Sequence, residues 1–217
     1  MTVRLVIADD HNLMREGVRG LLAARMPELQ VVGEAGDGLE ALKLCESLKP
    51  DLLLLDISMP ELGGLEVLAR LGEVSPRTKA VILSQYEDQA YVVRALRLGA
   101  KGYLLKKALG AELVAALKSV LEGRTYLDPA VAQAVVNAVV DPEALAGQSS
   151  GLSQLTQREI EVLKLTAGGK TAKEVGAALG ISEHTVNRHR ANLMEKFDLH
   201  SKVDLVKLAA KLRLIEL

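Results

Sequence analysis

The chain is poor in cysteine and in aromatic residues. Cys45 is its only cysteine, so the chain can form neither an internal disulfide nor a cysteine-based metal cluster. Aromatic residues make up 2% of the 217 residues, with no tryptophan and one phenylalanine. This composition leaves little material for an aromatic-lined pocket for a small ligand. Cys45 itself lies in an apolar helical pattern, and we expect it in the core.

Long apolar runs are also missing. No stretch of about 18 consecutive apolar residues occurs, so no transmembrane helix is expected. Asp9 and Asp10 follow the N-terminus too soon for a secretory signal peptide, and a cytoplasmic location is the expectation. Hydrophobic residues at 49% and charged residues at 25% are typical of a soluble globular protein of one large or two smaller domains.

The net charge of −1 indicates no polyanionic partner for the chain as a whole. The charge is unevenly distributed, however, with −4 over residues 1–151 and +3 over residues 152–217. A two-domain protein whose C-terminal part faces nucleic acid would show this asymmetry. An ordinary solvated surface explains so small an excess equally well.

Five short apolar runs alternate with five helical patterns over about the first 120 residues. The runs lie at residues 4–8, 31–32, 51–56, 80–84 and 102–106. Such alternation predicts an α/β fold, with a doubly wound five-stranded parallel sheet and helices on both faces. A further helix is predicted over 129–140, followed by a flexible stretch at 147–151. We therefore expect an α/β domain at 1–124, a helical and flexible linker at 125–151 and a second domain at 152–217.

Polar residues follow the predicted strands, and the carboxyl ends of parallel strands meet at one edge of a sheet. That edge would gather three acids, a hydroxyl and an ammonium, from Asp9, Asp10, Asp56, Ser84 and Lys106. Clustered carboxylates repel one another, and Mg²⁺, which prefers oxygen ligands, would relieve the repulsion. The set suits phosphoryl transfer with an aspartate as nucleophile. An ordinary solvated turn is the alternative for Asp56.

These residues resemble the receiver domain of two-component response regulators, through the Asp9-Asp10 pair, Asp56-x-x-Met59-Pro60, Ser84, Tyr103 and Lys106. The resemblance implies a flavodoxin-like fold in which a sensor histidine kinase phosphorylates Asp56. It implies Mg²⁺ bound by Asp9, Asp10, Asp56 and the main-chain carbonyl of Ser58. Lys106 would pair with the phosphoryl oxygens, and Ser84 and Tyr103 would act as switch residues.

Three residues near the predicted site call for separate comment. Ser84 stands where threonine is common in receivers, and it keeps the hydroxyl. Lys107 replaces a proline that many receivers carry after the lysine. His11 directly follows the acids, and we interpret it as a helix-start residue because Mg²⁺ favours oxygen ligands.

Residues 152–217 read as four helices, at about 156–168, 172–179, 183–197 and 202–213. The second and third are joined by Gly180-Ile181-Ser182, which predicts a helix-turn-helix. The third would present Asn187 and Arg188 to base edges, since Asn reads adenine and Arg reads guanine. The candidate DNA-contacting residues are Lys173, Ser182, Thr185, Asn187, Arg188, His189, Asn192 and Lys196. A solvated polar helix face is the alternative.

This segment resembles the LuxR-type DNA-binding domain, through Leu155-Thr156-x-Arg158-Glu159, Lys173-Glu174-Val175, Leu179-x-Ile181-Ser182, Thr185-Val186-x-x-His189 and Lys196-Phe197. A receiver joined to such a domain is the layout of NarL/FixJ-type response regulators. The resemblance implies a homodimer, with contacts through the fourth helix, on a two-fold or tandem DNA operator. It implies a phosphoacceptor regulator and not an enzyme.

Three other functions compete with this hypothesis. An aspartyl-phosphate phosphohydrolase would also use an aspartate nucleophile and Mg²⁺, but haloacid-dehalogenase-type enzymes carry Asp-x-Asp where this chain has Asp56-x-Ser58. Quorum-type sensors also end in a LuxR-type domain, but they need an aromatic ligand pocket. The third competing function is that of a receiver whose helical tail binds only protein.

Overall fold

The computed structural model describes residues 2–87, 89–140, 155–199, 201–212 and 214–215. The chain divides into two compact units, residues 1–142 and 143–217. The flexible stretch and the boundary predicted near residue 151 lie outside the described residues, so both stay predictions. In the part of the chain that the structure describes, no helix has the length and apolar character of a membrane span.

The first unit is built on a parallel sheet with the strand order β2-β1-β3-β4-β5-β6. The strands are Val3–Ala8, Leu29–Ala35, Leu52–Asp56, Lys79–Ser84, Gly102–Leu105 and Tyr126–Leu127. The predicted α/β class with a parallel sheet is confirmed, but the predicted count of five strands is wrong. The sixth strand, β6, has only two residues, which is too short for a recognisable apolar run.

The described residues of this unit form six α-helices: α1 (Asn12–Arg25), α2 (Gly38–Leu48), α3 (Gly64–Val74), α4 (Gln89–Arg97), α5 (Ala111–Leu121) and α6 (Pro129–Val140). A short 3-10 helix covers Lys106–Ala108. The four leucines of β3 are at most 1% exposed, as expected of a strand covered on both faces. Cys45 is fully buried, as predicted. Leu13 of α1 and Leu39 of α2, by contrast, are exposed.

The start of α3 lies directly against the end of β3. A Cβ atom on Gly64 would lie 2.0 Å from the main-chain oxygen of Asp56, and the Gly64 N–H donates to the carbonyl of Ile57 at 2.9 Å. Only glycine permits so close an approach of two backbone segments. The position of Asp56 therefore depends on a glycine eight residues further along the chain.

The second unit has four described helices: α7 (Gln157–Ala167), α8 (Ala172–Leu179), α9 (Glu183–Lys196) and α10 (Lys202–Lys211). They match the four predicted helices within two residues at each end. Capping boxes begin α7 at Thr156 and α8 at Thr171, where each threonine accepts from a glutamate N–H and that glutamate accepts in return. The core of the unit is aliphatic, with fully buried Leu163, Val175 and Leu193.

Two glycines of α3 should respond in opposite ways to substitution by alanine. Gly64→Ala places a methyl group on the Asp56 carbonyl and should lower the free energy of unfolding by about 2–3 kcal/mol. Gly72→Ala meets nothing within 4 Å and should raise it by about 0.5–1 kcal/mol, because alanine favours a helix interior. Urea unfolding of both variants gives the comparison, and equal effects would contradict the role assigned to Gly64.

Candidate functional site

Four neighbouring strands bring the predicted polar residues to one edge of the sheet. Asp9 directly follows β1 and Asp56 ends β3, while Ser84 ends β4 and Lys106 directly follows β5. These strands are adjacent in the order β1-β3-β4-β5. The chain reverses its direction of progress across the sheet between β1 and β3, which is where open α/β sheets form their ligand crevices.

The ammonium of Lys106 joins the two buried acids. Its Nζ lies 2.7 Å from Asp56 Oδ2 and 2.7 Å from Asp9 Oδ2. The side chains of Asp9 and Asp56 are each 2% exposed, and that of Lys106 is 14% exposed. One cation therefore faces two desolvated carboxylates, a charge-assisted arrangement that leaves the site with an excess of negative charge.

Burial and charge act against each other at this site. Burial raises the pKa of Asp56 to about 6, the nearby charge of Lys106 opposes the rise, and Asp9 adds to it. For Lys106, burial alone lowers the pKa, but Asp56 and Asp9 outweigh it and raise the pKa above its ordinary value. Lys106 is thus a cation at neutral pH, and burial makes the ionised form of Asp56 unfavourable.

Asp10 and His11 lie at the rim of the cluster. His11 Nδ1 is 2.6 Å from Asp10 Oδ1 and 3.1 Å from Asp9 Oδ1. His11 is the N-cap residue of α1, as its interpretation as a helix-start residue requires, but its side chain makes no capping hydrogen bond. Donor atoms of Asp9, Asp10, His11 and Asp56 all lie within 4.8 Å of one another. The predicted metal-ligating acids are therefore close enough to share one ion.

The two predicted switch residues meet at Tyr86, which the sequence analysis did not identify. Ser84 Oγ accepts from the Tyr86 N–H at 3.1 Å, and Tyr103 Oη donates to the Tyr86 carbonyl at 2.9 Å. The Tyr86 hydroxyl lies 3.1 Å from Ser58 Oγ, and its ring packs against Tyr91 with centroids 5.2 Å apart. The only sign of this role in the sequence is that Tyr86 lies two residues after the predicted switch residue Ser84.

Ser58 contacts the site through its backbone as well as its hydroxyl. Its N–H donates to the Asp56 carboxylate, which favours the ionised form of that acid. The ligand role predicted for its main-chain carbonyl stays a prediction.

The second unit contains the predicted helix-turn-helix. Helix α8 ends at Gly180, whose φ of 67° lies in the left-handed region, and Ser182 begins α9 by accepting from the Thr185 N–H at 3.1 Å. A Cβ atom on Gly176 would lie 2.6 Å from the Ile181 carbonyl, so the turn passes directly over α8. Val186 and Leu193 are fully buried and fix the inner side of α9.

The eight candidate DNA-contacting residues fall into two groups. Exposed side chains belong to Lys173, Ser182, Asn187, Arg188 and Asn192. The Thr185 hydroxyl lies 2.8 Å from that of Ser182, and His189 is half-buried, with its pKa lowered chiefly by burial.

The eighth candidate, Lys196, donates to Glu159 Oε2 at 2.8 Å. That glutamate, with a side chain 5% exposed, also completes the capping box of α7. Arg190 likewise turns inward, donating to Thr166 Oγ1 at 3.0 Å and to the Lys170 carbonyl at 3.1 Å.

Comparison with known families accounts for both units. Residues 5–118 match the response regulator receiver domain, and residues 153–209 match the bacterial regulatory proteins of the luxR family. The chain is a two-component response regulator of the NarL/FixJ type. Proteins of this family act on DNA to regulate transcription, and the prediction of this family and of its general function is confirmed.

Individual relatives span the whole chain or the receiver part. The oxygen regulatory protein NreC of Staphylococcus carnosus is 37% identical over 99% of this chain and 100% of its own length. The structure of a LuxR-family response regulator from Aurantimonas sp. has 34% identity and a TM-score of 0.60, covering 64% of this chain and 99% of its own. The receiver domain of NarL from Mycobacterium tuberculosis has 40% identity and a TM-score of 0.54, covering 57% and 98%.

Asp56→Asn should stabilise the response regulator, and more so at neutral than at acid pH. The folded-state pKa of about 6 exceeds the ordinary value of 3.8, so ionisation of Asp56 lowers stability as pH rises between these values. The gain should approach about 3 kcal/mol near pH 7.5 and shrink to about a third of that near pH 4.5. Urea unfolding in EDTA at both pH values measures it. A gain of equal size at both would show that ionisation of Asp56 is not costly.

Proposed function

We propose that a sensor histidine kinase phosphorylates this response regulator on Asp56 and that the modification controls dimerisation and sequence-specific DNA binding. The observation that carries the proposal is the Lys106 ammonium, 2.7 Å from a carboxylate oxygen of both Asp56 and Asp9. That geometry supplies a nucleophile and a cation for an incoming phosphoryl group at one sheet edge. The chain then acts as a phosphoacceptor and not as a turnover enzyme.

The chemistry needs no further nucleophile. A carboxylate oxygen of Asp56 attacks phosphorus of a phosphohistidine, a P–O bond forms as the P–N bond breaks, and the electron pair returns to the imidazole nitrogen. Asp56 is ionised at neutral pH because its pKa is about 6. Once this oxygen carries the phosphoryl group as an acyl phosphate, Lys106 exchanges a carboxylate partner for the phosphoryl oxygens. The Lys106 ammonium therefore has an anionic partner both before and after phosphoryl transfer.

The cluster fits Mg²⁺. Asp9, Asp10 and Asp56 supply carboxylate oxygens within 4.8 Å of one another, and the Ser58 carbonyl is the proposed fourth protein ligand. Oxygen donors are the ligands that this ion prefers. A bound Mg²⁺ would supply charge neutralisation at the phosphoryl oxygens, and Lys106 neutralises part of the charge of Asp9 and Asp56.

The loop after β4 would carry the response. Ser84 Oγ accepts from the Tyr86 N–H, and a rotation that brings the Ser84 hydroxyl to a phosphoryl oxygen would move this contact. Tyr86 also receives the hydroxyl of the fully buried Tyr103. Phosphorylation would therefore shift the Tyr86 loop, and the two predicted switch residues would move together.

On DNA, α9 would enter the major groove with its N-terminal half. Exposed Asn187 and Arg188 are the proposed base readers. The proposed phosphate contacts come from Lys173, Ser182, Thr185, His189, Asn192 and Lys196. Lys196 is also paired with Glu159, so it contributes to the stability of the domain as well.

Two copies of the chain would bind two half-sites. The proposed dimer contact is α10, on which Val203 is 60% exposed.

Asp56→Asn should abolish both phosphorylation and the response of DNA binding to it. The matched control is Asp51→Asn, at the opposite end of the same strand, where Asp51 Oδ2 accepts from the Arg4 N–H at 2.8 Å. Acyl phosphate formed from acetyl phosphate and Mg²⁺ is measured by mass spectrometry, and DNA affinity by fluorescence anisotropy. Phosphorylation of the Asp56→Asn variant at the rate of the wild type would contradict the proposal.

Arg188→Ala should weaken binding to the selected operator by about 1–3 kcal/mol, or about 5- to 150-fold, with unchanged thermal stability. Lys164→Ala removes the same charge from the exposed side of α7 and should have a smaller effect. Lys196→Ala should instead lower thermal stability, because it leaves the buried Glu159 carboxylate without its cation. Anisotropy and thermal unfolding of the three variants separate these effects, and equal losses of affinity for Arg188→Ala and Lys164→Ala would rule out base reading by Arg188.

A further inference from the structure

A buried carboxylate joins the end of β5 to the start of α6. Asp128 is 5% exposed, and its two oxygens accept from different backbone segments. Oδ2 accepts from the Leu105 N–H at 3.3 Å, and Oδ1 accepts from the Ala130 N–H at 2.9 Å. We call this arrangement of Asp128 with the Leu105 and Ala130 N–H groups the Asp128 clamp. Asp128 and Ala130 lie beyond residue 118, where the match to the receiver family ends, and Leu105 lies within it.

The local sequence explains why a side chain takes this place. Pro129 is the first residue of α6, a position that proline favours, and aspartate is a preferred residue immediately before a helix. Because α6 begins at Pro129, β6 contains only Tyr126 and Leu127. A longer parallel strand would offer a main-chain carbonyl to the Leu105 N–H, and the Asp128 carboxylate offers an oxygen in its place.

The clamp contacts the strand that carries the proposed phosphoryl-binding lysine. Leu105 directly precedes Lys106, whose ammonium bonds to Asp56 and Asp9. The Asp128 N–H donates to the Tyr103 carbonyl at 2.9 Å, and the Tyr103 hydroxyl bonds to the Tyr86 loop. Asp128 thus holds β5 on both sides of Leu104, between the switch tyrosine and the lysine.

The helix that Asp128 caps is itself attached to a responding element. Helix α6 packs against α4, with Val131 fully buried, and α4 follows the Tyr86 loop in the chain. Helix α6 is also the last described element before the DNA-binding unit. Two independent contacts, one at β5 and one at α4, therefore connect the proposed phosphorylation site to the segment that leads to the output domain.

We propose that the Asp128 clamp is the positioning contact through which phosphorylation of Asp56 is transmitted to α6 and on to DNA binding, an inference that rests on the proposed phosphoacceptor function. When Lys106 exchanges its carboxylate partner for phosphoryl oxygens, the end of β5 moves with it. The hydrogen bond from the Leu105 N–H to Asp128 then shifts or breaks, and the N-terminus of α6 moves with Asp128. Conversely, the clamp holds Lys106 in place for the reaction.

The test compares two substitutions in the full-length chain. Asp128→Ser keeps an oxygen for the Ala130 N–H but is too short to reach the Leu105 N–H. Asp128→Asn keeps the reach but offers one accepting oxygen for two N–H groups. Asp37→Asn is the control, since Asp37 caps α2 by accepting from the Glu40 N–H and makes no contact with β5 in the described residues. Each protein is phosphorylated with acetyl phosphate and Mg²⁺, and its DNA affinity is measured with and without the phosphoryl group.

The readout is the ratio of the two DNA affinities, which a purely structural loss would not change. Coupled sites typically show ratios of about 5- to 150-fold, and Asp128→Ser should reduce the wild-type ratio at least about threefold. Asp128→Asn should fall between it and wild type, and Asp37→Asn should keep the full ratio. Hydrogen exchange of α6 amides should change on phosphorylation in wild type and not in Asp128→Ser.

A full ratio in Asp128→Ser, with Asp56 phosphorylated, would overturn the clamp proposal and leave the phosphoacceptor function intact. If the wild type itself gains no phosphoryl group on Asp56, or if its DNA affinity does not respond to one, the proposed function fails first and the clamp proposal falls with it. Should Asp128→Ser unfold, Asp128→Asn decides the matter by the same ratio.

Discussion

Two buried carboxylates that share one ammonium impose the main constraint on the first unit. Removing ionised groups from water is expensive, and a single cation offsets only part of that cost for two acids. The leucines of β3 and the close approach of α3 at Gly64 hold Asp56 in this setting regardless of its charge state. The site is thus built with unrelieved negative charge, which a divalent cation or protonation of Asp56 would relieve.

The same constraint explains how phosphorylation of a single residue could change the conformation of distant elements. Shifting a two-state protein from mostly one state to mostly the other takes about 5 kcal/mol of differential interaction. No single hydrogen bond supplies that, since each contributes about 1 kcal/mol net. Lys106, Ser84 and Tyr103 each have a partner that phosphorylation would change or move, and all three partners lie within one sheet edge and the loop after β4. Because the three contacts share one sheet edge and one loop, we expect them to respond together.

Short-range sequence patterns predicted most of the fold and the central residues of the site. The apolar runs located five strands, and the parallel topology then placed Asp9, Asp56, Ser84 and Lys106 at one edge without knowledge of any contact. Tyr86 and Asp128 were missed because their roles depend on backbone groups distant in sequence, which no local pattern encodes. The pairing of Lys196 with Glu159, 37 residues apart, was missed for the same reason, and an exposed basic residue on a recognition helix was the natural reading.

Strand β6 also determines where this protein can be divided. It covers the edge of β5, and α6 covers part of α4, so a fragment that stops at residue 124 would expose unpaired main-chain groups of β5 together with apolar side chains beneath α6. Such a bare, apolar edge is the surface on which strands of other molecules add, leading to aggregation. Swapping output domains between regulators of this kind therefore calls for a junction after residue 140, with the edge strand kept on its own sheet.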